Sequence, residues 1–192
     1  MNNITEEDVT MKTLIFYSSP NKNGNTYKLM NEFIKGLGKE AEILEVFKAN
    51  IKPCIDCKYC YKLEACSIKD DMTEIYKKIN DSDLIVIATP MYFASVPGPL
   101  KNLIDRLQVY WSKKYIREDR DDIRIKKGVS IITGGTYWEE MFKPIDETLK
   151  LAFGAMDAKI EGELRAINTD ENPVEKDEEI LKAAYSLGEK FR

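Results

Sequence analysis

Apolar runs alternate with amphipathic stretches along most of the chain. Five short runs of mainly apolar residues predict β-strands. The predicted strands cover residues 14–17, 43–47, 84–88, 129–133 and 160–167. The run at 84–88, Leu-Ile-Val-Ile-Ala, is continuously apolar, as expected for a strand that is covered on both faces.

Between these runs, apolar residues recur at intervals of three and four, which is typical of helices with one buried face. The first such helix ends at Gly38, because glycine favours a helix terminus. The second begins at Asp71, which can form a capping box with Glu74. The predicted helices lie near residues 29–37, 71–79, 100–107, 139–153 and 174–189. The charge-rich stretch 113–127, KKYIREDRDDIRIKK, is interpreted as a solvated loop.

The alternating order of strands and helices predicts an α/β protein with a parallel sheet and helices on both faces. Residues 1–10 are predicted to form a polar tail, and residues 11–192 are predicted to form one domain. Ligands of such folds bind at the carboxyl ends of the strands. The loops after Tyr17, Ala88 and Thr133 are therefore expected to meet in space.

The composition narrows the possible functions. The chain has 192 residues, 43% of them hydrophobic and 32% charged, with a net charge of −4, as in ordinary globular domains. This mildly acidic balance argues against a nucleic-acid partner. No apolar run approaches the roughly 20 residues of a membrane helix, and the polar start does not resemble a secretory signal. We therefore expect a cytoplasmic protein with no membrane partner and with reduced cysteines.

The chain contains no histidine. This excludes Ser-His-Asp and Cys-His catalysis, together with every metal or haem site that requires a histidine ligand.

The loop after the first strand, SSPNKNGNT over residues 18–26, is rich in hydroxyl and amide groups. It leads into a helix, whose first N–H groups and partial positive charge suit a phosphate. Gly24 would allow close approach of the backbone. The loop matches neither the P-loop nor the GxGxxG pattern, and a simple turn with a helix cap remains the alternative interpretation.

The loops after the third and fourth strands carry aromatic residues. Residues 89–98 read TPMYFASVPG, and residues 133–138 read TGGTYW. Aromatic walls with backbone polar groups at the edge suit a flat heteroaromatic ring. The alternative for either loop alone is aromatic packing beneath the surface.

Four segments together, SSPNKNGNT, DDM, LIVIATPMYFASVPGPLKNLIDR and ITGG, resemble the flavodoxin-like NAD(P)H-dependent FMN reductases. The resemblance covers most of residues 11–136. It implies a flavodoxin-like three-layer fold with a five-stranded parallel sheet, bound FMN and a role in electron transfer. Within the same pattern, Asp70-Asp71 is interpreted as a helix cap with solvated charge, and Asp105-Arg106 as a structural or interface ion pair.

The resemblance also implies a set of flavin-binding residues. The residues expected at the FMN phosphate are Ser19, Asn21, Lys22, Asn25 and Thr26. The residues expected at the isoalloxazine are Pro90, Met91, Tyr92 and Phe93 on one side and Thr133, Gly134 and Gly135 on the other. The family often has Gly-Ser-Pro-Arg where this chain has Ser-Ser-Pro-Asn at 18–21. Lys22 is the expected substitute for that arginine, as a point charge rather than a fork.

All four cysteines lie within residues 54–66, in the pattern C-x2-C-x2-C-x5-C formed by Cys54, Cys57, Cys60 and Cys66. Four closely spaced thiols favour an iron–sulfur cluster. Zinc usually takes two separated knuckles, and unmetallated or exchanging thiols are a further alternative. The segment is similar to that of the iron–sulfur flavoprotein branch of the family, which implies a [4Fe-4S] cluster on these cysteines beside FMN.

The sequence therefore predicts a redox flavoprotein that passes electrons between FMN and a [4Fe-4S] cluster. A ferredoxin-like carrier or NAD(P)H is the expected partner, and the resemblance implies a homodimer or homotetramer. No side chain needs to act as an acid or a base, because the cofactors carry the chemistry. The alternatives are a cluster-free NAD(P)H-dependent FMN or quinone reductase, and a non-enzymatic module with zinc or free thiols.

Overall fold

A five-stranded parallel sheet organises the chain. The computed structural model describes residues 11–120 and 123–192, so the predicted polar tail lies outside the described residues. The strands are Thr13–Tyr17 (β1), Glu42–Glu45 (β2), Leu84–Pro90 (β3), Lys126–Thr133 (β4) and Ala158–Ala166 (β5). They pair in parallel in the order β2-β1-β3-β4-β5. This confirms the predicted flavodoxin-like α/β fold.

Helices cover both faces of the sheet. They are Asn25–Leu37 (α1), Tyr59–Lys62 (α2), Met72–Asp81 (α3), Gly98–Arg106 (α4), Gln108–Tyr115 (α5), Lys143–Ala155 (α6) and Glu178–Glu189 (α7). A 3-10 turn, Val174–Lys176, precedes α7. No helix within the described residues is long and apolar enough to cross a membrane.

The alternation of side chains along β3 divides the interior into two cores. Ile85 and Ile87 face a core that contains residues of α3, α4 and α6. Val86 and Ala88 face the other core, which contains residues of α1 and α7. The sheet is thus the middle of three layers, and its continuously apolar strand is covered on both sides as predicted.

Two glycines allow α1 and α7 to pack very closely. A Cβ atom on Gly36 would lie 1.9 Å from the carbonyl oxygen of Tyr185, and one on Gly188 would lie 2.1 Å from that of Phe33. Any side chain at either position would force the two helices apart. The end of α1 follows the prediction, because Gly38 adopts a left-handed conformation (φ 64°) and its N–H bonds to the carbonyl of Ile34.

The charge-rich stretch 113–127 is only partly a loop. Helix α5 extends through Tyr115 and β4 already begins at Lys126, whereas residues 121 and 122 lie outside the described residues. Lys114 is buried and bonds to Asp157 and to the carbonyl of Gly154. Partnered charges can be buried, so the density of charge misled the prediction here.

The predicted capping box of α3 is wrong. Asp71 has a helical conformation and makes no side-chain cap bond. Its carboxylate instead accepts a hydrogen bond from the N–H of Asn50 at 2.7 Å, and Glu74 pairs with Lys77 at 2.8 Å. The region predicted as one helix over 174–189 contains the 3-10 turn and α7, which Asp177 caps by accepting from the N–H of Ile180.

The close helix packing yields a stability prediction. Gly188→Ala should lower the melting temperature, although alanine is the better helix former by about 1 kcal/mol, because the new methyl group would overlap backbone of α1. Gly154→Ala is the matched control, since Gly154 lies in α6 and a Cβ there meets nothing within 4 Å. We expect this control to raise the melting temperature slightly. Equal effects of the two substitutions in thermal unfolding would contradict the packing argument.

Candidate functional site

The loops that follow β1, β3 and β4 meet at the carboxyl edge of the sheet. The N–H of Ser18 bonds to the carbonyl of Ala88 at 2.9 Å, and the N–H of Met91 bonds to that of Thr133 at 2.8 Å. The hydroxyls of Thr26 and Thr133 lie 2.7 Å apart in a buried position. The structure thus brings together the three loops that the sequence placed at one edge.

The amino terminus of α1 opens onto this edge. Gly24 is its N-cap residue, and no side chain caps the helix. A helix start of this kind presents backbone N–H groups and a partial positive charge to an anion. The arrangement is suited to a phosphate.

Three of the side chains predicted to hold a phosphate have partners within the protein. The hydroxyl of Ser19 accepts from the N–H of Asn21 at 3.3 Å. The Asn21 side-chain oxygen accepts from the N–H of Asn23 at 3.0 Å. The ammonium of Lys22 pairs with Glu45 at 3.2 Å, at the end of β2. The loop is therefore ordered by its own polar groups.

Asn25 is used differently from the prediction. Its side-chain amide donates to the carbonyl of Thr169 at 3.4 Å, and its side-chain oxygen accepts from the N–H of Val174 at 3.1 Å. The side chain therefore holds residues 168–174, the segment that follows β5, against α1. Its backbone N–H still belongs to the first turn of the helix.

Sequence reasoning missed the 168–174 segment as part of this edge. The hydroxyl of Thr169 donates to the carbonyl of Gly134 at 3.2 Å, and the N–H of Asp170 donates to that of Gly135 at 3.1 Å. A Cβ on Gly135 would lie 2.5 Å from the carboxylate of Asp170. No motif marks this contact, although the Gly-Gly pair signals a close approach of some kind.

The loop after β3 forms a tight exposed turn. Tyr92 and Ser95 exchange two backbone hydrogen bonds, at 2.9 and 3.0 Å. Phe93 and Ala94 between them both have positive φ, 49° and 59°, which is uncommon for residues other than glycine. The Phe93 ring is fully exposed at this turn, so the loop presents an aromatic surface at the same edge.

All four cysteines line one shared pocket beside the end of α4. None of them forms a disulfide. Asp56 and Lys58 have positive φ, 51° and 58°, so the chain turns sharply between the cysteines before the short helix α2. The segment of residues 53–66, called the cysteine segment below, thus contributes all four cysteines to the lining of one pocket.

Polar groups surround these thiols. The hydroxyl of Ser67 lies 3.1 Å from the Sγ of Cys57, and this hydrogen bond lowers the pKa of the Cys57 thiol. The hydroxyl of Ser112 donates to the Sγ of Cys60 at 3.4 Å. Arg117 donates to the carbonyl of Cys60 from α5's carboxyl-terminal side. A hydroxyl that donates to the sulfur, as at Cys57, stabilises the thiolate form.

The possible metal ligands of this pocket include its four cysteines. Across residues 11–120 and 123–192, no three His, Cys, Asp or Glu side chains converge closely enough to hold one metal ion. A four-iron cluster takes one thiolate on each iron, so its ligands surround a larger space. Arg106, whose Nε–H is buried without a partner among the described residues, also lines this pocket. The residues present therefore fit such a cluster.

A buried ion pair joins α4 to the region after the cysteine segment. The two terminal nitrogens of Arg106 lie 2.8 and 3.1 Å from the two carboxylate oxygens of Asp70. The side chains are 1% and 0% exposed. Burial opposes ionisation of Asp70, but the hydrogen bonds from Arg106 and from the Lys52 N–H prevail and lower its pKa.

This pairing corrects two expectations. Asp70 is not a solvated charge, and Arg106 does not pair with its neighbour Asp105. Asp105 is partly exposed and pairs with Lys101 at 2.6 Å. Arg106 and Asp70 are 36 residues apart in sequence, and no local pattern indicates a contact over that separation.

The fold and this edge define a flavodoxin-like α/β protein with an uncapped helix start at the edge and a separate pocket lined by cysteines. The family model for NADPH-dependent FMN reductases matches residues 11–142. The chain belongs to this family.

Several curated relatives share a name. An iron-sulfur flavoprotein of Archaeoglobus fulgidus is 45% identical over 98 residues, which cover 50% of this chain and 48% of the relative. Another from the same organism is 30% identical over 186 residues, which cover 94% of this chain and 79% of that relative. An iron-sulfur flavoprotein of Methanocaldococcus jannaschii is 29% identical over 193 residues, covering 94% and 95%. The match with the first of these spans about half the length of that relative.

Solved structures show the same fold. An NAD(P)H:quinone oxidoreductase from Methanothermobacter marburgensis superposes with a TM-score of 0.70 at 18% identity, covering 95% of this chain and 96% of that one. A flavone reductase superposes with a TM-score of 0.67 at 16% identity, covering 93% and 61%. At these identities the likeness concerns the fold alone.

The buried ion pair yields a second stability prediction. Asp70→Ala should lower the free energy of unfolding by about 3–5 kcal/mol, because it leaves the Arg106 charge buried without a partner. Asp105→Ala, which removes an exposed pair on the same helix, should cost less than about 1 kcal/mol. Urea denaturation of both variants measures the difference.

The pH dependence of stability provides a further check on the same pair. Because the folded-state pKa of Asp70 is lowered, its contribution is complete above the unfolded value of about 3.9 and is lost as the pH falls through the folded value. Asp70→Ala should therefore show a weaker loss of stability on acidification than the unchanged protein. If the free energies of unfolding of the two proteins fell equally as the pH is lowered, the assignment to Asp70 would be contradicted.

Proposed function

We propose that this protein is an FMN-dependent redox protein in which electrons pass between FMN and a [4Fe-4S] cluster. The observation that carries the proposal is the shared pocket lined by Cys54, Cys57, Cys60 and Cys66. A second supporting feature is the prepared anion site at the start of α1. When bound, FMN takes one or two electrons and the cluster takes one, so the pair can link two-electron donors to one-electron carriers.

The carboxyl edge of the sheet is the proposed flavin site. The uncapped start of α1 receives the phosphate, supported by Ser19, Asn21, Lys22, Asn25 and Thr26. The turn after β3 and the loop after β4 border the ring. The residues proposed there are Pro90, Met91, Tyr92, Phe93, Thr133, Gly134 and Gly135.

Helix α4 connects the two proposed sites. It begins directly after the turn that carries Phe93 and ends at Arg106, on the wall of the cysteine pocket. Its ends are on the order of 12 Å apart at 1.5 Å per residue. One rigid element therefore sets the spacing between the flavin-side loop and the cysteines within this chain.

The relatives support the cluster through their printed names, iron-sulfur flavoprotein. The proposed electron partners are a ferredoxin-like carrier on the cluster side and NAD(P)H on the flavin side. The protein is further proposed to be cytoplasmic and to form a homodimer or homotetramer.

A cluster-free NAD(P)H-dependent FMN or quinone reductase is the second candidate. It is favoured by the family match over residues 11–142, which includes the flavin edge and carries the description NADPH-dependent FMN reductase. A zinc or free-thiol module has less support, because the printed names of the relatives refer to an iron-sulfur flavoprotein.

Metal and sulfide analysis of protein purified without oxygen tests the proposal. We expect about four irons and four sulfides per FMN. FMN with neither iron nor sulfide, together with steady oxidation of NAD(P)H, would instead establish the cluster-free reductase.

Removal of one thiol should separate the two cofactors. Cys60→Ala should lose the iron and the acid-labile sulfide, because four thiolates are needed for one cluster. FMN should remain, since Cys60 lies in the cysteine segment and not at the flavin edge. Iron content and flavin absorbance of the same preparation measure both effects. Full retention of iron would contradict the ligand assignment.

A negative charge at the start of α1 should weaken FMN binding and leave the iron content unchanged. Gly24→Asp places a carboxylate beside the proposed phosphate and should weaken FMN binding at least about tenfold by like-charge repulsion, while iron is retained. The backbone conformation of Gly24 (φ −79°, ψ 177°) accepts either residue, and the Cβ that both substitutions add would lie 3.1 Å from the Asn21 side chain. Gly24→Asn is the neutral control of nearly equal size. Equal FMN affinities for the two variants would argue against a phosphate at this helix end.

A further inference from the structure

Arg106 makes an unusually complete set of contacts around the cysteine segment. Its NH1 group donates to the carbonyl of Lys52 at 2.8 Å, and its NH2 group donates to that of Ile68 at 3.2 Å. Both groups also donate to the Asp70 carboxylate. The four terminal N–H donors of the guanidinium are therefore used, and the side chain is only 1% exposed.

The two carbonyls bound by Arg106 bracket the cysteines. Lys52 precedes Cys54 by two positions, and Ile68 follows Cys66 by two positions. The Asp70 carboxylate also accepts from the N–H of Lys52 at 3.0 Å. One side chain from α4, with its carboxylate partner, thus fixes both ends of the cysteine segment at a single point.

The fifth donor of Arg106 has no partner. A guanidinium has five N–H donors, and the Nε–H of Arg106 is buried without a hydrogen-bond acceptor among the described residues. A buried unpaired donor is costly and calls for an explanation such as an ion or a ligand. Arg106 lines the same pocket as the four cysteines, where a bound cluster would supply thiolate and sulfide sulfurs as acceptors.

We propose that Arg106 is a positioning residue that holds both ends of the cysteine segment and donates its Nε–H to a sulfur of the bound cluster. This inference rests on the proposed function, since it requires a cluster in the pocket. Hydrogen bonds to the sulfurs and nearby positive charge stabilise the more negative, reduced form of a cluster. Arg106 therefore stabilises the cysteine segment and also raises the midpoint potential of the cluster.

The reduction potential of Arg106→Lys tests this role. Lysine keeps the charge but has no Nε–H and no fork that could hold Asp70 and both carbonyls. We expect a lower midpoint potential for the cluster that remains. A tenfold change in the one-electron equilibrium corresponds to about 59 mV, and a shift of this order is expected. A merely structural role would reduce the iron content but leave the remaining cluster at its original potential.

Arg124→Lys is the matched control. Arg124 also binds one carboxylate, that of Asp83, and two carbonyls, those of Asn80 and Ser82. It does not line the cysteine pocket. The same substitution in a similar set of bonds should therefore leave the midpoint potential unchanged. A shift equal to that of Arg106→Lys would overturn the proposal.

A measurement on the unchanged protein covers the case in which Arg106→Lys does not fold. In 15N-arginine-labelled protein, the Nε–H of Arg106 should exchange with solvent about tenfold more slowly with the cluster bound than after its removal, as expected for a hydrogen bond to a charged acceptor. Equal exchange rates would overturn the proposal. Iron in the unchanged protein, together with equal rates or an unshifted potential, rejects this inference alone, whereas absence of iron rejects the proposed function as well.

Discussion

The ion pair between Arg106 and Asp70 is the interaction on which the cysteine segment depends. Two charges are removed from water at the boundary between the α/β core and an irregular segment. Such a pair is stable only where further hydrogen bonds satisfy the remaining donors and acceptors. Here the carbonyls of Lys52 and Ile68 and the N–H of Lys52 meet that requirement for every group of the pair except the Nε–H of Arg106. The pair therefore joins three parts of the chain that are distant in sequence.

The ion pair also affects the carboxyl edge of the sheet, because α4 connects the two regions. The parallel sheet places the loops after β1, β3 and β4 at one edge, and α4 starts from the second of these loops. The guanidinium at the other end of α4 fixes the cysteine segment. A displacement of α4 would consequently disturb both regions together, and the apolar core beneath Leu100 and Leu103 opposes such a displacement.

Local patterns predicted the sheet and most helices because their signals lie within a few residues. The continuously apolar β3 and the glycine at the end of α1 are examples. The contacts that complete the two candidate sites were not predictable in this way. Asn25 reaches Thr169 and Val174 across more than 140 residues, and two charged residues thought to be solvated, Asp70 and Lys114, are buried with partners. Whether a charged side chain is buried depends on the tertiary structure. The charge-rich composition around these two residues therefore favoured a solvated interpretation that is wrong.

The anchored ends also explain how so irregular a segment can present four thiols. Within residues 53–66 the only regular element is α2, with four residues, so few of its backbone hydrogen bonds are internal. Ordering such a chain at the moment of ligand binding would cost about 1–2 kcal/mol per residue. Arg106 fixes both ends of the segment, and Arg117 fixes the carbonyl of Cys60. Part of the segment is therefore ordered when the core folds, and that part of the entropy cost is not incurred on ligand binding. The cysteines are then already held at one pocket in the folded chain, which would favour binding of the proposed cluster.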